Sequence, residues 1–228
     1  MGKNLLYAVV ALGVIGGVIF FVKDKNRAPQ EAEIPTASTE SPREMVRDGK
    51  YMLAAESTLN WEGRKNLIVG YKDVGTLKAK EGNFTVSGGK VADGKIIFNM
   101  STIQAGKTGK GMGEEGLERH LKSDDFFATE KFPTAEFMIR ETVSAEDVQS
   151  SHRYAIKGDL IMKGITQSVE IPAIVYLRDG SLRVEGAAEF DRTKWDIRYG
   201  SDKFFDNLAN NVIDDMFSIS FQFTASAQ

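Results

Sequence analysis

The chain has 228 residues and a formal net charge of −3, with acids and bases interspersed, so no long basic tract marks it for nucleic acid. The absence of cysteine excludes disulfides, thiolate metal sites, cysteine nucleophiles and the lipidated N-terminus of a lipoprotein, but sets no redox compartment. His120 and His152 are its two histidines, too few for a histidine-rich metal site; no metal and no cofactor are expected.

After a short flank at residues 1–4, residues 5–22 form an uncharged run, LLYAVVALGVIGGVIFFV, between Lys3 and Lys23. As a helix it spans roughly 27 Å, enough for a bilayer core, and reads as a transmembrane signal anchor. A cleavable signal peptide is the rival reading, but bulky Phe20, Phe21 and Val22 fit a cleavage site poorly. Lys23, Lys25 and Arg27 slightly favour a cytoplasmic C-terminal side. Gly13 and Gly17 are spaced as in paired membrane helices, which admits a dimer. Residues 23–49 carry Pro29, Pro35 and Pro42 among Glu, Ser, Thr, Ala and Lys. That composition is a flexible tether reaching on the order of 30 Å.

From residue 50 to 228 the dominant period is two, the alternation of half-buried strands. Phe217, Ile219, Phe221 and Phe223 alternate with Ser218, Ser220, Gln222 and Thr224. Leu182, Val184, Gly186, Ala188 and Phe190 form a second such face, and Val169, Ile171, Ala173, Val175 and Leu177 a third. Gly88-Gly89, Asp93-Gly94 and Asp179-Gly180 read as tight turns. Two short helices are expected, over 114–122 with Leu117 and Leu121, and over 202–213 with Phe204, Leu208 and Val212 on one face. Hairpins without a βαβ rhythm predict a mainly β, antiparallel up-and-down barrel or sandwich. Gly186 and Ala188 would leave interior space; a hollow barrel and a solid core both fit this periodicity.

Residues 119–127 (RHLKSDDFF) and 131–137 (KFPTAEF) resemble the HLrSxdFFdxxkyPxxxF signature of the YceI-like family. Residues 158–166 (GDLIMKGIT), 190–197 (FDRTKWDI), 213–219 (IDDMFSI) and 59–63 (LNWEG) resemble further family blocks in the same order. Together they cover about residues 50–225. The resemblance implies an eight-stranded, lipocalin-like antiparallel barrel on the extracytoplasmic (periplasmic or extracellular) side of a bacterial membrane. It implies binding of a polyisoprenoid or other long-chain lipid inside the barrel, and no enzyme. That placement outweighs the charge bias at the anchor. A histidine-glycine pair common in the family's second strand is replaced by residues 71–75, YKDVG.

Under that resemblance the ligand contacts are one face of the strands: Phe98, Met100, Phe137, Ile139, Leu160, Met162, Val184, Phe190, Phe217, Ile219, Phe221 and Phe223. Lys107 and Lys110, in a glycine-rich loop, could meet a headgroup phosphate. Gly106-Lys107-Thr108 is not a phosphate loop, because Ser101 stands where the motif needs glycine. His120 with Asp124 and Asp125 could be drawn as an acid–base pair, but a helix end bounded by turn-forming residues explains the same letters. Arg192, Trp195 and Asp196 are expected to hold the barrel end together, Arg192 through a buried or half-buried carboxylate pair.

Overall fold

The computed structural model describes residues 44–65, 67–106, 108, 113–144 and 153–228. The candidate membrane span at 5–22 lies outside them; among the described residues no helix is long and apolar enough to cross a membrane. The chain divides into two units, Met1–Glu40 and Ser41–Gln228, and the second is a closed antiparallel barrel.

Ten strands build it: β1 (Gly49–Leu53), β2 (Thr58–Arg64), β3 (Lys72–Ser87), β4 (Lys90–Asn99), β5 (Gln104–Ala105), β6 (Thr134–Ser144), β7 (Arg153–Met162), β8 (Ile165–Arg178), β9 (Ser181–Asp191) and β10 (Met216–Ala227). The ring runs β2-β3-β4-β6-β7-β8-β9-β10 and closes back on β2, eight staves in up-and-down order. Closure leaves the main staves no free edge. β1 continues the β2 stave: Tyr51 pairs with Ala227 and Phe84, as Leu59 pairs with Phe221 and Leu77. The short β5 pairs with β3 outside the ring.

Turn chemistry accounts for three hairpins. Asp179-Gly180 joins β8 to β9 with φ of 51° and 71°, the left-handed pair that matches strand twist. Gly88-Gly89 and Lys163-Gly164 repeat it at β3–β4 and β7–β8. Asp93-Gly94 is not a turn. Both residues lie within β4, paired with Thr85 and Phe84, and the register slips beside them, between Thr85 and Val86. Similar bulges fall between Ala79 and Glu81 on β3 and between Ile139 and Glu141 on β6. Each moves the inward set by one residue, so β3 buries Gly75 and Leu77 and then Gly82, Phe84 and Val86. Such bulges add the bend and twist that closure requires.

The barrel's two ends differ. At the closed end Val86, Val91, Val175, Leu177, Leu182 and Ala225 are almost wholly buried and fill the interior. The chain enters there, ahead of the tether boundary expected at 49. Glu44 exchanges two backbone hydrogen bonds with Leu177, Val46 is buried, and the Asp48 carboxylate accepts from the Gly88 and Gly89 N–H groups. At the other end lie α1 (Gly113–Lys122) and the connection between β9 and β10. Helix α1 carries Glu114 and Glu115 in its first turn and Arg119, His120 and Lys122 in its last, the charge order its dipole favours, and buries Leu121.

The second expected helix, over 202–213, does not form; α1 is the one α-helix of the described residues. Asn207 and Ala209 have φ of 61° and 47°, which interrupts any right-handed helix. Only a three-residue 3-10 turn, Ala209–Asn211, remains. The Phe204, Leu208, Val212 spacing imitates a helical face, but Phe204 is 44% exposed.

Arg192 holds this connection instead. It is 4% exposed. Its Nε donates to the Asp214 carbonyl, Nη1 to those of Ile197 and Tyr199, and Nη2 to that of Ile213. Nη2 also lies 3.3 Å from an Asp215 carboxylate oxygen, and Lys203 Nζ is 2.9 Å from the other. Trp195 is buried beside it and donates from Nε1 to the Leu160 carbonyl. Asp196, grouped with these two on sequence grounds, is about half exposed and pairs with Arg198. Arg192→Ala would strand several carbonyls and leave the Asp215 carboxylate with Lys203 alone. We expect it to lower the unfolding free energy by about 3 kcal/mol, read from the urea midpoint.

Candidate ligand-binding cavity

The inner faces of the staves enclose an apolar cavity. Its volume is about 170 Å³. All twelve residues expected to face a ligand border it: Phe98 on β4 and Met100 just after it, Phe137 and Ile139 on β6, Leu160 and Met162 on β7, Val184 and Phe190 on β9, and Phe217, Ile219, Phe221 and Phe223 on β10. Period-two alternation brings them together, because every second residue of each stave points inward. Lys107 and Lys110 lie outside the described residues.

Sequence reasoning missed much of the remaining wall. Leu59, Trp61, Leu77, Phe84, Ile96, Ile156 and Ile171 complete the staves, while Leu121, Phe126, Phe127, Ile197 and Ile213 come from the helix and connections at one end. The strand residues share the period-two signal. The end residues carry none, since only the folded chain brings α1 and the β9–β10 connection over the barrel.

Where the cavity opens follows from exposure. Among the lining residues, those only half-buried are Trp61, Glu62 and Gly63 at the end of β2, Phe127, and Ile213, Asp214, Phe217 and Ile219 leading into β10. The mouth therefore lies at the Arg192 end, opposite the point where the chain enters.

The cavity stays open because three aromatic rings lie against glycines. A Cβ on Gly75 would stand 2.4 Å from the Trp61 ring, one on Gly158 2.6 Å from the Phe137 ring, and one on Gly186 2.6 Å from the Phe221 ring. Space above Gly186 is thus taken by Phe221, not left vacant as its small size implies. A ring lying on a glycine covers the wall and leaves the axis clear.

Polar character is confined to the mouth, at Glu62, Arg192 and Asp214. Glu62 receives hydrogen bonds from Arg64 Nε at 2.7 Å and Lys72 Nζ at 3.3 Å; the Arg64 contact leads in holding its carboxyl below the usual range. Asp214 Oδ1 accepts from the Met216 N–H. Burial lowers the Arg192 pKa, opposed by Asp215, Asp191 and Asp214, and an arginine so placed remains a cation. Burial of Asp191 disfavours its charge, yet hydrogen bonds from the Thr193 hydroxyl and N–H and from Lys203 outweigh that and lower its pKa. His120 is not in the wall. Its ring packs edge-on against Phe126 and Tyr199, and its Nε2 is 3.4 Å from Asp125, the contacts of a packed helix-end histidine.

A model of the YceI-like domain family matches residues 51–225. The chain belongs to that family. A UPF0312 protein of Shewanella denitrificans is 35% identical over 100 residues, 44% of this chain and 48% of that protein. One of Photorhabdus laumondii is 33% identical over 99 residues, 43% and 46% of the two chains. The matched stretch thus spans about half the length of each relative. Among solved structures, a polyisoprenoid binding domain from Saccharophagus degradans has a TM-score of 0.56 at 15% identity, covering 78% of this chain and 98% of its own. BcnA of Burkholderia cenocepacia has a TM-score of 0.54 at 15% identity, covering 75% and 96%. These two likenesses establish the shared fold.

Two outcomes are expected for this YceI-like barrel. Gly75→Ala, whose Cβ would stand 1.9 Å from the rigid Gln104 carbonyl, should destabilise more than Gly186→Ala, whose nearest obstacle is the Phe221 ring; urea denaturation gives both costs, about 1–3 kcal/mol for the milder. The second concerns acid. Glu62 and Asp191 have pKa values lowered from 4.5 and 3.8. Their contribution to stability is complete above about pH 4.5 and disappears as pH falls through the lowered values. The urea midpoint should drop between pH 5 and pH 3, and less so in Asp191→Asn.

Proposed function

We propose that this YceI-like barrel binds a long-chain apolar ligand in its interior, a polyisoprenoid lipid by preference, and sequesters or carries it without chemical turnover. The observation that carries this reading is a cavity walled by apolar side chains whose ionisable lining residues, Glu62, Arg192 and Asp214, stand at the mouth and are each engaged by the protein. Methionines at 100 and 162 suit a flexible chain because their side chains adapt. The S. degradans domain of the same fold, a polyisoprenoid binding domain, supports the ligand class. We extend the proposal to an anchor at residues 5–22 and a tether that keep the barrel beside a membrane on its extracytoplasmic side.

Magnitudes restrict what the cavity does. Its 170 Å³ is on the order of the roughly 150 Å³ void that holds a benzene ring, space for about one or two isoprene units. Burying about ten carbons contributes roughly 8 kcal/mol gross, against an association cost of about 4–15 kcal/mol. A tightly held ligand therefore needs contacts beyond these walls, or rings that swing aside to lengthen the channel.

Filling the void tests the reading. Val184→Trp should leave stability within about 2 kcal/mol of the parent, because the void receives the added ring, while weakening all-trans-retinol binding at least about tenfold. Retinol fluorescence unchanged by the substitution would place the isoprenoid elsewhere. Native mass spectrometry of protein isolated from its own source should show a co-purifying lipid, and bare protein would count against the proposal.

A further inference from the structure

Most of the large apolar side chains left exposed among the described residues gather at the mouth, while Met45, Met52 and Val143 lie elsewhere. Leu67, Ile68 and Val69, on the loop between β2 and β3, are 61%, 36% and 103% exposed; Phe204 and Phe205, in the connection leading to β10, are 44% and 49%, and Met216, the first residue of β10, is 41%. These segments meet: the Asp214 N–H donates to the Arg64 carbonyl at 2.9 Å, at the base of the first loop. Their shape is set by the backbone. The Ile68 N–H bonds to the Lys65 carbonyl and the Tyr71 N–H to that of Ile68, a double turn that projects Val69. The Phe204 and Phe205 N–H groups both bond to the Ser201 carbonyl, which presents two successive rings outward.

Exposed apolar patches of this kind mark interaction sites. Their position identifies the partner. Glu62, Gly63 and Asp214, which border the mouth, lie within a few residues of both loops, so whatever meets the rim also meets the opening of a cavity too short for a long chain. Water would solvate the protruding part of such a ligand poorly; lipid would not. Amphipathic groups stand where a headgroup layer would lie: Lys65 Nζ is 5.2 Å from the Tyr71 ring centre and the Arg198 guanidinium 4.8 Å from that of Phe204. Aromatic and basic side chains are the usual residents of that layer.

We propose that the mouth rim docks on a lipid bilayer, inserting Leu67–Val69 and Phe204–Phe205 so that the cavity opens directly into the acyl region. This rests on the lipid-binding reading of the cavity. Neighbouring cations are already paired with carboxylates, Arg64 with Glu62 and Glu189, Lys72 with Glu62, and Lys203 with Asp191 and Asp215. Docking is therefore driven by apolar burial and persists on uncharged lipid and in high salt. Among the described residues the chain joins the barrel at the opposite end, at Glu44.

The chain lacks cysteine, so single cysteines can report depth in the full-length protein. Val69→Cys and Phe205→Cys would carry bimane, with Ser87→Cys at the closed end as the aqueous reference, in phosphatidylcholine vesicles containing brominated acyl chains. Expected is at least about twofold stronger quenching at 69 and 205 than at 87, unchanged in about 0.5 M salt. Equal quenching at all three sites overturns the proposal, as does a rim shielded to the same degree without vesicles, which would indicate a second copy of the chain. In the double variant Val69→Asp/Phe205→Asp, retinol uptake from vesicles should slow about tenfold, while retinol binding in detergent stays at the parental level. Uptake at the parental rate refutes docking; failure of the parent protein to bind retinol in detergent refutes the cavity reading instead.

Discussion

The Arg192 guanidinium directs its N–H groups at the carbonyls of Ile197, Tyr199, Ile213 and Asp214 and at the Asp215 carboxylate, and the mouth of the barrel takes its form from that convergence. The connection from β9 to β10 is long and lacks the ladder that orders the staves. A planar, permanently charged group with several fixed donors can gather carbonyls from distant parts of such a loop, which an ammonium cannot do with the same geometry. Burial makes the arrangement unforgiving, because each carbonyl released would lack a partner. Phe204, Phe205 and Ile213 keep their places at the opening because the backbone beside them is held.

The interior faces a second constraint. Eight staves enclose a space that side chains can just fill, so a hollow barrel needs a device against collapse. Here it is the seating of Trp61, Phe137 and Phe221 on Gly75, Gly158 and Gly186. Each pairing exchanges a Cβ for ring contact along the wall, retaining much of the dispersion attraction while the axis remains vacant. The closed end does the opposite: branched residues such as Val91, Val175 and Leu182 pack to almost zero exposure. The barrel is thus a plug at one end and a pocket at the other, and the plug lets the pocket remain open without loss of the fold.

Much of this was legible in the amino-acid order. Alternation in residues 182–190 and 217–223 identified the inward faces of β9 and β10, because the pleat has period two whatever the strand pairs with. Asp179-Gly180 and Gly88-Gly89 were readable as turns, since few residue pairs accept two positive φ angles. Asp93-Gly94 misled because the same letters also suit a site beside a bulge, where Gly94 admits a close neighbouring carbonyl: a Cβ there would lie 2.7 Å from the Asn83 oxygen. The helix expected over 202–213 failed because hydrophobic spacing ignores Asn207 and Ala209, whose left-handed conformations belong to a connection ordered by Arg192.

What sequence alone determined was therefore the local and periodic content: strands, their inward faces, and membership of the YceI-like family through blocks spread over the whole body. Tertiary structure decided whether those faces knit together or stay apart, which end is open, and which loops surround the opening. These depend on distances between residues far apart in the chain, such as Trp61 to Gly75, Phe221 to Gly186 and Arg192 to Asp215. No local pattern encodes a void; it exists only as the space left between walls once the ring of staves has closed.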